Sequence, residues 1–449
     1  MKTSLKFNLS RVYDRVLVFL FVVYAFYGLV PFFTWDTYHH GILKEIHGID
    51  IRTLIGLGSV ALTGLYFVIR GKIQCSQTTV FLVAFELFSC FVLRCVCGGI
   101  NMHNLFHTAW IQFIILACYM ILPKYMQVNV YKAYYWIFAV TLIVPFIYFV
   151  VTKIGIHLPY SELQSYERIK VAHHYYYKHY PFAVQIANHA KQEIERRFNG
   201  IYDEAGRLGT MAALFLCVEG FDFKKNKLNL VVLVAGIFSF SLAFYVMCFA
   251  YFIIKNIANR NFRSVLIVGI LALCYVIFIN IPIQNENLAD IQQRITLTDS
   301  GMAGDNRTSD RYEAIFKNQF ENAGIMVKLF GYGSGAIGTI QNTRLIDGSS
   351  YKSLIFDYGY VGFGLSILWV AATIGIIMKK NPKDTAFFIS QFVMYLLNVY
   401  QRPTVFYVPF LFITIGGSFA HQYEKTMPLK KISSAESMKR IIEEVFAQG

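Results

Sequence analysis

Two stretches of this chain concentrate residues that could handle phosphate. The first is "RRFNGIYDEAGRLG", Arg196 to Gly209, preceded by the aromatic run "HHYYYKHY", His173 to Tyr180. The second begins "GDNRTSDRYEAIF" at Gly304, continues through "LFGYGSGAIG" from Leu329, and ends "RLIDGSSYKSLIFDYGYVGFG" at Gly364. A planar guanidinium donates two parallel hydrogen bonds and so suits a phosphate or pyrophosphate. Arg197, Arg207, Arg307 and Arg311 are therefore candidates to hold a pyrophosphate. The bland alternative for each is a solvated charged surface. The aromatic run suits stacking on sugar rings, an interfacial belt or plain packing. His173, His174 and His179 have no ligand spacing that defines a metal site, and none is expected.

Gly333, Gly335 and Gly338 fit the G-x-G-x-x-G pattern of a dinucleotide turn. That pattern needs a strand before it, a helix after it and an acidic residue further on. No such unit surrounds these glycines. They are expected instead to permit tight backbone turns at positive φ.

The elements that must position these residues are membrane helices. The chain has 449 residues, 56% hydrophobic and 15% charged, with a mean hydropathy of +0.46. Apolar runs of about 20 residues recur, each long enough to cross a bilayer core of roughly 30 Å. The expected fold is an all-α polytopic membrane protein with two large extracytoplasmic loops. The net charge of +14 fits cytoplasmic loops rich in Lys and Arg, and no nucleic-acid partner is expected. Candidate helices run roughly 14–33, 51–69, 78–98, 104–122, 132–153, 206–220, 228–254, 262–282, 354–378, 384–400 and 404–420. Basic residues at Arg70, Lys72, Lys124, Lys224, Lys225, Lys227, Lys379, Lys380 and Lys383 mark the inside.

Segment 228–254 has basic residues at both ends. It reads as two short helices turning near Ser239-Phe240-Ser241, which gives about 12 spans; a single tilted helix would give 11. The resulting organisation is five helices in 1–153, a first loop over 154–205, helices with a hairpin in 206–282, a second loop over 283–353, three helices in 354–420 and a cytoplasmic tail over 421–449. The tail from Glu424 carries the pattern of a short amphipathic helix. The basic N-terminus precedes an apolar run without a small-residue cleavage site, so it reads as a retained first span. None of the eight cysteines lies in a long loop, which argues against a disulfide framework. Glu86 and Arg94 fall inside the third span, eight residues apart on one helix face. Charges there face the bundle or a cavity, supporting the outer site or making a structural contact.

Three motifs in this order resemble the O-antigen polymerase and ligase family. They are Arg197-Phe198-Asn199-Gly200 ahead of an apolar run, Ser309-Asp310-Arg311 ahead of "KLFGYGSG", and "SSYKSLIFDYGYVGFG" entering a helix. The likeness covers 197–380 in motif and the whole chain in architecture. It implies transfer of a glycan from undecaprenyl pyrophosphate to an acceptor on the outer face, without nucleotide sugar, metal or other cofactor. It also implies pyrophosphate contact by Arg197 and Arg311.

Two places depart from the family pattern. Ser241 is followed by Leu242 where many relatives have Ser-Arg. Asp347-Gly348-Ser349 stands where ligases have a His-Asn pair. The second departure favours a polymerase acting on a lipid-linked repeat unit over a ligase. Asp347 is then the candidate base for the acceptor hydroxyl. Lys352, with Tyr351 beside it, is a candidate at the leaving pyrophosphate; Lys352 equally suits a headgroup anchor. The expected setting is a bacterial inner (cytoplasmic) membrane with the site on the periplasmic side. A chain-length regulator and a flippase are the expected partners. A flippase is itself the rival reading of another class, and the lack of repeated halves argues against it.

Overall fold

A computed structural model describes residues 2–35, 51–70, 75–97, 110–165, 167–190, 193–194, 197–258, 269, 273, 276–282, 289, 292, 296–298, 301–302, 310–344, 350–404 and 406–426. Most of the chain is helical. The N-terminal helices are α1 (Lys2–Gly28), α2 (Ile51–Arg70), α3 (Gln77–Phe91), α4 (Trp110–Ile121), α5 (Lys124–Val140) and α6 (Ile143–Lys153). Ser76 caps α3, its side chain accepting from Thr79 N at 3.2 Å. A π-turn, Val92–Val96, extends α3, with Cys97 N donating to Val92 O at 2.9 Å.

Among the described residues, four stretches are long and apolar enough to cross a membrane: Ile51–Arg70, Gln77–Val96, Lys124–Lys153 and Tyr351–Lys380. The chain is thus a helical membrane protein. The third stretch starts earlier than the expected 132. Pro123 stands at the helix start, and polar side chains of its first turn bond within the bundle. Lys124 donates to Gln422 Oε1 at 2.8 Å, and Gln127 donates to Tyr119 O and Met120 O.

The first large loop holds a sheet, which the sequence reading did not anticipate. Strands β1 (Ser161–Gln164), β2 (Tyr175–Tyr180), β3 (Ala183–Asn188) and β4 (Glu193–Ile194) pair antiparallel in chain order, with a short helix α7 (Arg168–Ala172) before β2. Tyr180 pairs with Ala183 across a two-residue turn, in which Phe182 takes a φ of 61°. Proline first and positive φ second is the type II arrangement. "YYYKHY" and "AVQIAN" on either side of Pro181-Phe182 carried this signal, through the strand preference of aromatic and β-branched residues. Tyr177 and Val184 pack with Trp35 beyond the end of α1, so the sheet sits on the bundle's end.

Helix α8 (Ala205–Glu219) has 12 of its 15 residues buried. It packs against α9 (Leu228–Phe238), α10 (Leu242–Ala258) and the later helices over Thr385–Gln401 and Val408–Thr426. Two helices do replace a single span over 228–254. The break falls at Ser239-Phe240-Ser241, where Phe240 has a φ of 43°. Ser239 and Ser241 press on Gly209 of α8, where a Cβ would overlap them.

The second loop holds α11 (Asp310–Ile315), α12 (Ile325–Phe330) and α13 (Ala336–Arg344) around their own apolar core of Tyr312, Ile315, Phe316, Phe320, Ile337, Ile355 and Phe356. Helices α14 (Tyr351–Lys380), α15 (Thr385–Gln401) and α16 (Val408–Thr426) complete the bundle. The cytoplasmic-tail helix expected beyond Glu424 falls mostly outside the described residues, as does most of the expected helix over 262–282. The seven described cysteines are free thiols.

Side-chain bonds define two ends of the bundle. At one, Arg70 and Tyr125 meet Asp14, while Lys132 and Lys225 meet Glu424. At the other, Arg207 reaches Leu29 O, Arg402 meets Glu204, and Tyr351 stacks on Tyr400. The described parts of both large loops therefore share the second end.

Candidate functional site

Four cations from separate parts of the chain gather at that second end. Gly200, at a φ of 66°, and the Asn199 side chain bonded to Tyr202 O shape the turn that precedes α8. That turn presents Asp203 and Glu204. One helical turn on, Arg207 forms an ion pair with Asp203, its Nε lying 3.1 Å from Oδ1 and one amino group donating to Oδ2 at 3.3 Å, while the other amino group donates to Leu29 O at 3.0 Å. Lys170 of α7 reaches Glu167 at 3.2 Å, Asp203 at 3.5 Å and Glu204 at 4.0 Å. It also approaches the Tyr177 hydroxyl at 3.3 Å, and that hydroxyl donates to Asp203 O at 2.7 Å. Arg402, just past α15, donates to Glu204 Oε2 at 2.7 Å, while its Nε is buried without a hydrogen-bond partner among the described residues. Arg52 lies over the rings of Tyr24 and Tyr407, and the Tyr407 hydroxyl donates to Gly28 O.

The electrostatics follow from this geometry. Asp203 is fully buried and holds two cations, which its desolvation requires. Burial opposes the charge on Glu204, but Arg402, Lys170 and Arg207 outweigh it and hold the carboxyl well below its usual range. Burial also opposes the charge on Lys170, yet Asp203 and Glu204 raise its ammonium above the usual value. Glu167 is pushed up by burial, against the pull of Lys170 and with help from Asp203 and Glu204. A raised carboxyl beside a fixed cation is the better proton acceptor of the two glutamates. Glu167, Asp203 and Glu204 also form the one carboxylate group among the described residues close enough to share a cation. Lys170 makes ion pairs with all three.

The glycine run forms the second polar centre of this end. Gly333 and Gly335 have φ values of 104° and 77°, as expected for tight turns, and Gly331 joins them at 70°, whereas Gly338 lies within α13 and takes no positive φ. Their role is to wrap the Asp357 carboxylate. Gly335 N donates to Oδ2 at 2.9 Å and Ile337 N to Oδ1 at 3.0 Å, while Gly333 N donates to Asp357 O. The start of α13 is thus filled by the chain's own anion, where a dinucleotide turn would receive phosphate. Gly359, at a φ of 65°, kinks α14 and lets it lie against Leu329. Arg94, on the π-turn after α3, donates to Ser334 Oγ at 2.9 Å, and that oxygen lies 3.1 Å from the Tyr358 hydroxyl.

The sequence candidates occupy different places around these centres. Arg207 belongs to the Asp203 cluster. Arg197 donates Nε to Ser239 O at 3.0 Å and so ties the first loop to the turn between α9 and α10. Arg311 is exposed at the start of α11 and makes no ion pair among the described residues. Lys352 pairs with Glu313 at 2.6 Å and lies over Phe316. Tyr351 stacks on Tyr400, two residues before Arg402. Arg307 and Asp347 lie outside the described residues.

Sequence reasoning passed over Arg52, Lys170, Asp203, Glu204 and Arg402 as site residues. "DEAGR" did carry a signal, since acidic residues favour a helix N-terminus. Arg402 stands next to an apolar run, and nothing local marks its partner 198 residues away. No family model, no curated protein and no solved structure matches the chain.

Proposed function

We propose that this chain is a bacterial polysaccharide polymerase of the cytoplasmic membrane, with about 12 spans and its site on the periplasmic face. The observation that carries this reading is the gathering of Arg52, Lys170, Arg207 and Arg402 at one end of an apolar bundle. A polyprenyl pyrophosphate buries its tail in lipid and presents its charge at that level. The opposite end holds Arg70, Lys124, Lys132 and Lys225, which suits a cytoplasmic face.

In the proposed step, an acceptor hydroxyl of a lipid-linked repeat unit attacks the anomeric carbon of the growing chain. The hydroxyl proton passes to a carboxylate, and the bond to undecaprenyl pyrophosphate breaks with inversion. Asp347 is the base suggested by the sequence; Glu167 is the raised carboxyl beside the cation cluster. Arg207, Arg402 and the exposed Arg311 stabilise the pyrophosphate most as it leaves, which lowers the barrier. Arg197 and Arg307 lie on the same two loops as further phosphate contacts, and Lys352 with Tyr351 lines the approach from α14. Arginines can carry this charge without a metal. A flippase would supply the substrate and a chain-length regulator would act on the product.

The test is a gel ladder of surface polysaccharide from a deletion strain restored with wild-type chain or with Arg311→Ala. Wild type should restore the ladder, and Arg311→Ala should leave single repeat units attached to the surface lipid. Long polymer accumulating on the carrier lipid in the deletion strain would indicate a ligase instead. Unpolymerised units trapped on the cytoplasmic face would indicate a flippase.

A further inference from the structure

Glu86 belongs to neither polar centre. It lies near the middle of the Gln77–Val96 stretch, one of the four long enough to cross a membrane. Its side chain is fully buried. Both carboxylate oxygens lack a hydrogen-bond partner among the described residues. No ion pair reaches it there either, in contrast to Asp203.

The groups near it are poor counter-ions. Cys90, one turn along α3, and Cys118, on the facing α4, lie within electrostatic reach of Glu86. Cys118 bonds to the Thr63 side chain of α2, and Thr63 in turn donates to Ser59 O at 2.7 Å. The nearest cation on the same helix face is Arg94, two turns away, which is committed to Ser334. The α14 segment packed on this side contributes Trp369, which donates to Leu82 O. An isolated carboxylate in such surroundings faces a desolvation cost of several kcal/mol, which a bound proton removes. Glu86, Cys90 and Cys118 do not come close enough together to form a metal-holding group among the described residues. A proton needs a single oxygen.

We propose that Glu86 is a proton-binding site inside the membrane bundle and carries its proton at neutral pH. The site is independent of the glycan chemistry proposed above. A carboxyl of this kind is also a modification site for an apolar carbodiimide. The acid proton passes to a carbodiimide nitrogen, the carboxylate adds to the central carbon, and rearrangement leaves an N-acylurea that contains the whole reagent. No atom is lost and no further reactant is needed.

The experiment treats the full-length chain in membranes with dicyclohexylcarbodiimide at neutral pH and maps the adduct by mass spectrometry. Infrared difference spectra of the same protein, with and without Glu86→Gln, read the protonation state directly. The expected result is an adduct on the Glu86 peptide in wild type, falling to background in Glu86→Gln. A neutral-acid carbonyl band should be present in wild type and absent from the variant. Labelling at Glu86 should persist at neutral pH and fade only at alkaline pH. Carboxylate bands assigned to Glu86 at neutral pH, or labelling confined to acidic conditions, would overturn the proposal. If Glu86→Gln does not fold, adduct mapping and its pH profile on wild type still decide it.

Discussion

Asp203 and Asp357 are both buried aspartates at the same end of the bundle, and they are neutralised in different ways. Asp203 meets side-chain cations, Arg207 and Lys170, drawn from two elements of the first loop region. Asp357 meets backbone N–H groups of the glycine turn. A charge held by cations is part of a network that can exchange partners when an anionic ligand arrives. A charge held by backbone dipoles fixes one loop conformation and leaves no room for a second anion. The first region is therefore the one that would bind phosphate under the proposed function, and the second holds the loop in place.

Removing each aspartate tests that difference. Asp203→Ala leaves buried cations without their partner and should lower stability by about 3–5 kcal/mol, read by thermal unfolding of the detergent-solubilised chain. A loss below about 1 kcal/mol would mean that water already shares the cluster. On the second side, Gly359→Ala places a Cβ into Leu329 O at a positive φ. It should cost about 3 kcal/mol and open the 331–338 turn to limited proteolysis. Asp357→Asn puts an amide donor against N–H donors and should cost about 1–2 kcal/mol; an unchanged melting point would show that the turn does not depend on the carboxylate.

Acid pH should affect the first region more. Glu204 titrates well below its ordinary value of 4.5 in the folded chain. Its contribution is complete above pH 4.5 and is lost as pH falls through the folded value. Glu204→Gln should flatten that acid limb in a stability–pH profile. Glu167, raised on folding, acts oppositely, relieving a penalty as pH first drops from neutrality. The smallest effect is expected from Lys352→Ala. The Lys352–Glu313 pair is 26% and 40% exposed, so its loss should change stability by about 0–1 kcal/mol.

Much of the fold was legible in the sequence because hydropathy acts locally. Apolar runs must become helices in a bilayer, where each backbone group is satisfied within its own segment. The break at Ser239-Phe240-Ser241 was legible from basic residues at both ends of 228–254. The glycine run was legible as a set of positive-φ turns, although the carboxylate it encloses was not. The sheet of the first loop was missed because its strands lie in a stretch whose tyrosines, histidines and lysine also suit a membrane interface.

The candidate site was less legible. Arg207 was found from its residue type, but its partners are Leu29 O and Asp203, which Lys170 shares, and Arg402 answers Glu204 across the bundle. Such pairings depend on separations of a few ångströms, which helix packing sets and local sequence does not encode. The same holds for Glu86 in reverse. Its position within a span was visible in the sequence, and only the packing of α2, α3, α4 and α14 left it without a described partner. By itself the sequence determined which segments must leave water. The tertiary structure decided which charges then meet, because burial makes an unpaired charge costly while only the packed helices determine the distance to its partner.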